Sequence, residues 1–463
     1  MASKRDLVEA HAYNRRRLVS AFLSGAPGGR EVESVSRSRP VVAGVTLGGL
    51  LVGGAAIAGL FAQPLPDGWD NGYVVIGKTS AARFVTIKGT LHPVLNATSA
   101  RLILPSDKGF EVLVVDDDKI AATPHGSTLG ILGAPDDLPP EGSLLQSGWV
   151  SCFDGTKPAL SIGSATVPAY ADASGLTVKV TGAGSLPGQD VRYLLAAGRR
   201  YAIPAGSYDP VKQYLGQLET PQSVTGTWVD LFNPGTDLAF DAFAFKNRAQ
   251  VGQPLTGQYT LGNKLAKVGQ LVVNKDQNDA MSVMVANGTI PLSTFAAAVY
   301  QAVAPDGLGK PVTVSNDDLA RVQPSDTKGF LPEDWPTAVP SRATGTPCAV
   351  IETVEGKPAT THLATTSADS SFVKPPNKQQ VYVQAGRGAL VRASSTGTSG
   401  PVAVVDQSGQ AFTITDPSAE TLARLGYKDL TPRYVPPSWV SLLPAGPALS
   451  EAAVGAPRVE PGQ

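Results

Sequence analysis

Residues 41–61 read VVAGVTLGGLLVGGAAIAGLF, a run of 21 residues without a charged side chain. A helix needs about 20 mostly apolar residues to cross the hydrocarbon core of a membrane. We therefore predict a transmembrane helix over 41–61, which divides the chain into a short N-terminal part and a long C-terminal part. A cleaved signal peptide is the alternative, because Ala56-Ile57-Ala58 offers a small-residue cleavage site. The long segment before the run, and an apolar stretch longer than the roughly 7–15 residues of signal sequences, favour the transmembrane helix.

Positive charge is concentrated before this apolar run. Residues 1–40 contain eight Lys and Arg against four Asp and Glu, whereas the whole chain contains 38 basic and 39 acidic residues, a formal net charge of −1. Basic residues stay on the cytoplasmic side of a membrane. We therefore predict that 1–40 is cytosolic and that the chain after the span is extracytoplasmic. The balanced total charge lacks the basic excess that is typical of nucleic-acid-binding proteins.

We predict an amphipathic, basic helix in the segment 1–40. Ser3 and Asp6 resemble a capping box, and the helix is expected to run towards Gly25. Leu18 and Phe22 lie on one face of such a helix. Two roles stay open for it: contact with anionic lipid headgroups, or docking onto a cytosolic partner.

Glycines in the apolar run have the spacing of helix-packing motifs. Gly44 with Gly48, and Gly49 with Gly53, form two GxxxG pairs. Small residues allow the backbones of two helices to approach closely in lipid. We predict that these four glycines pack against partner helices, although such spacings also arise by chance in glycine-rich spans.

The long C-terminal part is predicted to form a repeat-containing domain over 62–447, followed by a Pro/Gly/Ala-rich tail over 448–463. Two copies of one pattern lie in it, each a strand followed by Asp-Pro, Leu-Gly and Trp. The copies are Tyr201-Ala202-Ile203, Asp209-Pro210, Leu215-Gly216 and Trp228, and Phe412-Thr413-Ile414, Asp416-Pro417, Leu425-Gly426 and Trp439. The pattern predicts a strand, a helix with Asp at its N-cap and Gly after its last turn, and a closing loop that carries Trp.

Looser copies of the pattern place two more tryptophans in equivalent positions. One copy runs from Phe84 to Trp149 and the other from Ser293 to Trp335. We interpret Trp149, Trp228, Trp335 and Trp439 as anchors of the repeat cores rather than as ligand platforms. Because repeated units bury their surface mainly against neighbours, an elongated domain is expected.

Four stretches carry a family resemblance. Residues 91–102 read LHPVLNATSARL, residues 134–139 read APDDLP, residues 149–152 read WVSC, and residues 439–447 read WVSLLPAGP. With the order of basic helix, apolar span and repeats, they resemble the EccB family of type VII (ESX) secretion systems over nearly the whole chain. The resemblance implies an α+β fold: one N-terminal transmembrane helix, then an extracytoplasmic domain with a mixed β-sheet core and about four small repeat lobes.

The resemblance also implies partners and a location. The chain would be a homo-oligomerising, single-pass subunit of an inner-membrane complex. Its neighbours would be a multi-spanning channel subunit, a motor ATPase of the FtsK/SpoIIIE type and another membrane subunit. Members of the family are often described as ATPases, which would make ATP a ligand.

The residues do not favour a nucleotide site or another catalytic site. A P-loop needs GxxxxGK followed by Ser or Thr, and the nearest string is Gly307-Leu308-Gly309-Lys310-Pro311, with Pro where the hydroxyl belongs. The string is more typical of a surface turn. There is no GxSxG motif, and neither His92 nor His125 has an adjacent His or Cys that could bind a metal. We therefore predict no catalytic, cofactor or metal residues, and leave enzymatic activity open.

Two cysteines, Cys152 and Cys348, exclude a Cys-rich zinc module or an iron–sulfur carrier. Both lie in the predicted extracytoplasmic part, where disulfide bonds persist. We predict a Cys152–Cys348 bond that ties two halves of the domain together, with two buried free thiols as the alternative.

Three functions remain after these observations. We favour a structural subunit of the type VII secretion complex that scaffolds its external part. The alternatives are an ATP-hydrolysing subunit of the same system and a membrane-tethered protein that binds the cell wall.

Overall fold

A computed structural model describes residues 4–24, 44 and 68–455, with gaps at 106–109, 165, 182–188, 218–219, 256–258, 262–263, 321, 323, 326–327 and 375–379. The chain divides into two compact units, 1–68 and 69–463. The predicted span over 41–61 lies outside the described residues except for Gly44. Within the part of the chain that is described, no helix is both long and apolar enough to cross a membrane.

The first unit contains the helix α1 (Lys4–Ser24), in the place where the sequence predicts one. Asp6 lies in its first turn, where a negative charge stabilises the positive end of the helix dipole. Leu18 and Phe22 of the predicted apolar face are 63% and 90% exposed.

The second unit is built mainly from short strands. They are β1 (Val74–Gly77), β2 (Arg83–Ile87), β3 (Thr90–Pro93), β4 (Val112–Val115), β5 (Trp149–Phe153), β6 (Pro158–Ile162), β7 (Ser174–Val180), β8 (Val191–Ala196), β9 (Arg199–Ile203), β10 (Gln222–Val224), β11 (Asn233–Pro234), β12 (Thr260–Leu261), β13 (Lys264–Leu265), β14 (Leu271–Asn274), β15 (Ala280–Val285), β16 (Gly288–Pro291), β17 (Val312–Val314), β18 (Ser341–Arg342), β19 (Thr346–Glu352), β20 (Thr360–Thr366), β21 (Val381–Val383), β22 (Ala389–Ala393), β23 (Val402–Val405), β24 (Ala411–Ile414) and β25 (Arg433–Val435).

Short helices connect these strands. They are α2 (Ala97–Ile103), α3 (Asp117–Ala122), α4 (Tyr208–Tyr214), α5 (Gly226–Val229), α6 (Thr294–Val303), α7 (Asn316–Leu319), α8 (Ala419–Arg424), α9 (Pro437–Val440) and α10 (Glu451–Gly455). The α+β class expected from the sequence is therefore present in this unit.

Four sheets share one strand arrangement, and we name them lobes 1 to 4 (74–129, 174–238, 271–328 and 389–449). Three consecutive antiparallel strands are followed by a helix, and a fourth strand then returns parallel to the first. The spatial orders are β3-β2-β1-β4, β9-β8-β7-β10, β16-β15-β14-β17 and β24-β23-β22-β25. A fourth strand that pairs parallel to the first needs a crossover connection from one end of the sheet to the other. The helices α2, α4, α6 and α8 form these connections.

A fifth segment covers the outer edge of the third strand in every lobe. One backbone N–H in that segment donates to a carbonyl of the third strand. The pairs are Gly126 to Leu91 (2.9 Å), Gly235 to Arg200 (2.8 Å), Ser325 to Thr289 (2.8 Å) and Gly446 to Ala411 (2.9 Å). These bonds protect a strand edge that would otherwise be open to pairing with another chain. Because one such bond occurs in every lobe, it also defines which residues of the four lobes are structurally equivalent.

The predicted N-caps of two crossover helices are wrong. The N-cap residues of α4 and α8 are Ser207 and Ser418, not Asp209 and Asp416. Asp209 instead lies inside the first turn of α4, where its charge favours the positive end of the helix. The Ser418 side chain accepts the N–H of Thr421, which satisfies one of the free donors at a helix start.

The predicted glycine ends of the same helices are confirmed. Gly216 and Gly426 have φ angles of 66° and 90°, which lie in the left-handed region. The N–H of the next residue reaches back into the helix, from Gln217 to the carbonyl of Lys212 at 2.8 Å and from Tyr427 to that of Leu422 at 2.7 Å. This is the Schellman arrangement, which glycine adopts without steric cost.

Residues 448–455 differ from the predicted separate tail. Leu449 and Val454 are 0% and 1% exposed and belong to a core cluster of lobe 4. Helix α10 also packs against α2 of lobe 1. The start of the predicted tail is therefore part of the folded domain, because its two apolar side chains are buried there.

Candidate functional site: the disulfide-bonded central sheet

The centre of the second unit is a five-stranded sheet in the order β20-β19-β5-β6-β21. Cys152 on β5 lies directly opposite Cys348 on β19, and the two form a disulfide bond across 196 residues. Both cysteines are 0% exposed. Since lobes 2 and 3 lie between the two strands in sequence, the bond closes the loop that contains both lobes.

The two faces of the central sheet pack against different partners because side chains alternate along a strand. On β5, Val150 and Cys152 face a small apolar cluster with Val350 and Val373. Trp149 and its alternate residues face the opposite cluster, which joins the sheet to lobes 2 and 4. The disulfide bond therefore lies under the smaller of two apolar layers.

Three of the predicted tryptophan anchors are buried in that opposite cluster. Trp149, Trp228 and Trp439 are at most 1% exposed. The structure differs from the prediction for Trp149, which lies in strand β5 rather than in a closing loop. Trp228 and Trp439 lie in the short helices α5 and α9 that follow the last strands of lobes 2 and 4.

The indole N–H groups connect these lobes to the central sheet. Trp228 Nε1 donates to the carbonyl of Ser151 at 3.1 Å. Trp439 Nε1 lies 3.3 Å from both the Leu231 carbonyl and Thr361 Oγ1, which accept its hydrogen. Ser151 and Thr361 belong to β5 and β20. Both tryptophans thus join a lobe to the sheet rather than closing only their own lobe.

Trp335 connects lobe 3 with lobe 2. Its Nε1 donates to the carbonyl of Thr236 at 3.0 Å. The ring packs edge-on against Phe243 at 5.3 Å and Phe295 at 5.7 Å between centroids. Nearby Tyr201 donates its hydroxyl to the carbonyl of Asp334 at 2.6 Å, and burial raises the pKa of Tyr201 to about 12, so this phenol stays protonated.

Sequence reasoning missed one polar cluster on the edge strand β20. His362 Nδ1 lies 2.9 Å from Asp172 Oδ1, and Nε2 lies 3.3 Å from Glu352 Oε2. The ring stacks on Tyr170 with 4.2 Å between centroids. Burial, with a smaller effect of the two carboxylates, raises the pKa of Tyr170. Glu352 lies on the neighbouring hairpin strand β19, but Tyr170 and Asp172 lie about 190 residues before His362, so local spacing gives no signal for them.

The arrangement around His362 supports packing rather than catalysis. Both ring nitrogens face carboxylates, which fixes the ring orientation and leaves neither nitrogen directed at a reactive hydroxyl or thiol. Over the described ranges, no group of three or more His, Cys, Asp and Glu is placed to hold a metal ion.

The string at 307–311 forms a closed turn after α6. The N–H of Leu308 donates to the carbonyl of Pro305, and that of Lys310 donates to the carbonyl of Gly307. A Cβ at Gly309 would lie 2.9–3.0 Å from the carbonyls of Gln301 and Tyr300. The amide hydrogens of Leu308 and Lys310 are therefore used within the turn, whereas a P-loop directs its amides at phosphate.

A family model described as "Type VII secretion system ESX-1, transport TM domain B" matches residues 1–458 of the chain. The chain belongs to the EccB family. The resemblance carried by residues 91–102, 134–139, 149–152 and 439–447 is thereby confirmed.

Curated relatives in the EccB family share moderate identity with the chain. The ESX-5 secretion system ATPase EccB5 of Mycobacterium tuberculosis (strain ATCC 25618 / H37Rv) is 28% identical over 411 residues, which cover 82% of this chain and 79% of the relative. The ESX-1 secretion system ATPase EccB1 of the same strain is 31% identical over 143 residues, which cover 30% of this chain and 28% of the relative.

Solved structures share the fold. A chain of an intact ESX-5 inner membrane complex has a TM-score of 0.62 at 20% identity, covering 100% of this chain and 97% of that one. A chain of the EccB3 dimer from the ESX-3 core complex has a TM-score of 0.63 at 22% identity, covering 82% of this chain and 99% of that one.

Proposed function

We propose that the chain is a structural subunit of a type VII (ESX) secretion complex in the inner membrane, where it scaffolds the external part of the translocation machine. The observation that carries this proposal is the family match over residues 1–458. A central sheet with lobes 2 and 4 packed against it, and a disulfide across 196 residues, gives the cross-linked body that a scaffold requires.

The proposed subunit crosses the membrane once through residues 41–61. The segment 1–40 is cytosolic and the second unit is extracytoplasmic. The excess of basic residues before the span supports this orientation. A disulfide-bonded domain also fits an oxidising compartment. A chain of the periplasmic assembly from the ESX-5 inner membrane complex shares this fold, with a TM-score of 0.60 at 21% identity, covering 87% of this chain and 100% of that one.

The orientation predicts the labelling of two cysteine variants in intact cells. Cysteine at Ser399, an exposed residue of lobe 4, is expected to react with a membrane-impermeant thiol reagent. Cysteine at Ser24 is expected to react only after cell lysis. Native Cys152 and Cys348 give no background because they are buried and bonded. Labelling of the Ser24 variant alone in intact cells contradicts the orientation.

Partner binding in the membrane is expected to depend on the GxxxG glycines. The proposed partners are a multi-spanning channel subunit, a motor ATPase and further copies of this chain, and a dimer of a relative with this fold has been solved. In the double variant Gly48→Leu and Gly49→Leu, the span stays apolar while close helix approach is blocked. We expect secretion, and co-purification of partner subunits in mild detergent, to fall at least tenfold, with unchanged membrane insertion. Full co-purification with the double variant excludes this role of the glycines.

The variant Lys310→Ala separates the scaffold from an ATP-hydrolysing subunit. The curated relatives are named as ATPases, but the turn at 307–311 uses its amides internally, and the proposal therefore assigns no cofactor. We expect cells that carry the Lys310→Ala variant to secrete normally, and the variant to co-purify with its partner subunits like the unmodified chain. If it lost secretion together with ATP turnover by the purified protein, the hydrolase function would replace the scaffold.

A further inference from the structure

The segment 170–173, which we name the strap, covers an outer edge of the central sheet. It leads from β6 into β7 and lies beside β20, the outermost strand on that side of the sheet. Tyr170 pairs antiparallel with Ala364, and the Ala171 N–H donates to the carbonyl of Leu363 at 2.7 Å. A backbone contact of two residues is short for a strand pair. Side-chain contacts therefore decide how firmly the strap is held.

The side chain of His362 connects the strap to β20. Its Nδ1 lies 2.9 Å from Asp172 Oδ1, and its ring stacks on Tyr170 with an interplanar angle of 6°. The His362 side chain is only 15% exposed. On the neighbouring strand β19, Glu352 Oε2 lies 3.3 Å from His362 Nε2. One imidazole ring thus lies between a carboxylate of the strap and a carboxylate of the sheet.

The contact at Nε2 of His362 depends on whether the ring carries an extra proton. A neutral imidazole has one N–H donor and one acceptor nitrogen, whereas the imidazolium ion has two donors. If the neutral ring donates from Nδ1 to Asp172, Nε2 has a lone pair that faces the carboxylate of Glu352. Nε2 is buried, and no hydrogen-bond partner reaches it among the described residues. Only the protonated ring therefore matches both carboxylates.

The surroundings of His362 favour a positive charge on the ring. Each element packed against it, the strap and β19, contributes one carboxylate, and the side chains of Asp172 and Glu352 are 52% and 53% exposed. Burial, with a smaller effect of these carboxylates, raises the pKa of Tyr170, so that side chain stays neutral. Val350, opposite His362 in the strand register, is apolar. Proton loss from the ring removes the charge that separates the two carboxylates.

We propose that Asp172, His362 and Glu352 form a pH-dependent latch, which holds the strap on β20 when His362 is protonated and loosens it when the proton leaves. The proton binds at Nε2 and adds a positive charge between the two carboxylates. Histidine side chains ordinarily change charge between about pH 5 and pH 8. Because both ion pairs exist only in the protonated form, the strap is held most firmly at the acidic end of this range. The latch is independent of the scaffold function, since it concerns a contact within one chain.

Hydrogen–deuterium exchange, measured by mass spectrometry on the purified full-length chain in mild detergent, tests the latch. Peptides that contain Ala171 report opening of the strap, because the Ala171 N–H is bonded to Leu363. After correction for the intrinsic pH dependence of exchange, we expect protection of the strap to be at least threefold greater at pH 5 than at pH 8. Equal protection at the two pH values overturns the proposal.

Three variants and a matched control assign the pH effect to the latch. His362→Gln removes the titrating ring, so its strap should be equally protected at pH 5 and pH 8. Asp172→Asn and Glu352→Gln each replace a half-exposed carboxylate by a neutral amide, and each should reduce the pH effect by at least half. His125→Gln, which changes an exposed histidine of lobe 1, should keep the full effect.

Persistence of the pH effect in His362→Gln contradicts the latch, because another group would then control the strap. If His362→Gln does not fold, Glu352→Gln decides the matter, since its side chain is half-exposed and lies outside the strap. An undiminished pH effect in Glu352→Gln contradicts the proposed ion pair at Nε2.

Discussion

The variant Trp439→Ala is expected to lower the free energy of unfolding of the second unit by about 3–5 kcal/mol, the range for truncation of a large buried aromatic side chain. Trp439 is 0% exposed and packs in the cluster that joins lobe 4 to the central sheet. Its truncation leaves a cavity between lobe 4 and the sheet. It also removes the indole donor from the carbonyl of Leu231 and from Thr361 Oγ1.

Two further variants separate packing from hydrogen bonding. Trp439→Phe keeps an aromatic ring but removes the indole donor. It should cost about 1 kcal/mol, the usual worth of a hydrogen bond, because the Leu231 carbonyl still accepts from the Thr361 hydroxyl. Leu132→Ala, at a residue 78% exposed, should change stability by less than about 0.5 kcal/mol. Urea unfolding followed by circular dichroism measures all three. A loss below about 1 kcal/mol for Trp439→Ala would show that Trp439 does not hold lobe 4 on the sheet.

The features of the fold that sequence reasoning predicted are those encoded locally. The glycines after α4 and α8 were predictable because a left-handed residue must follow a helix end within a few positions, and glycine adopts that conformation freely. The Asp-Pro dipeptides led to incorrect N-cap predictions for α4 and α8, because Asp is favoured both at the N-cap and in the first turn of a helix. The choice between the two positions depended on Ser207 and Ser418, which also favour caps.

The arrangement of the sheets was not predictable from local patterns. Each lobe returns its fourth strand beside its first across a helix, so the pairing joins residues dozens of positions apart. Trp149 shows the consequence: its spacing suggested a closing loop, but pairing of β5 with β19 places it inside the central sheet. The contact of His362 with Asp172 has the same origin, because the two residues are 190 positions apart and only the tertiary fold brings them together.

Reduction of the Cys152–Cys348 bond is expected to cost the second unit up to about 5 kcal/mol of unfolding free energy. In the chain-entropy account, a cross-link stabilises the folded state by restricting the unfolded chain, and the effect grows with loop length. The loop here spans 196 residues and contains lobes 2 and 3. In the reduced unfolded chain no covalent link holds Cys152 and Cys348 together, so the unfolded state gains conformational freedom across this loop.

The measurement compares urea unfolding of the oxidised protein with that of protein reduced under denaturing conditions and refolded with reductant. The double variant Cys152→Ala and Cys348→Ala is the control, and its stability should not respond to reductant. In the native protein, dithiothreitol alone should leave the bond intact, because both cysteines are 0% exposed beneath Val150, Val350 and Val373. Identical unfolding midpoints for the oxidised and reduced proteins would contradict the expected stabilisation by the cross-link. The bond would then add covalent continuity between β5 and β19 without adding equilibrium stability.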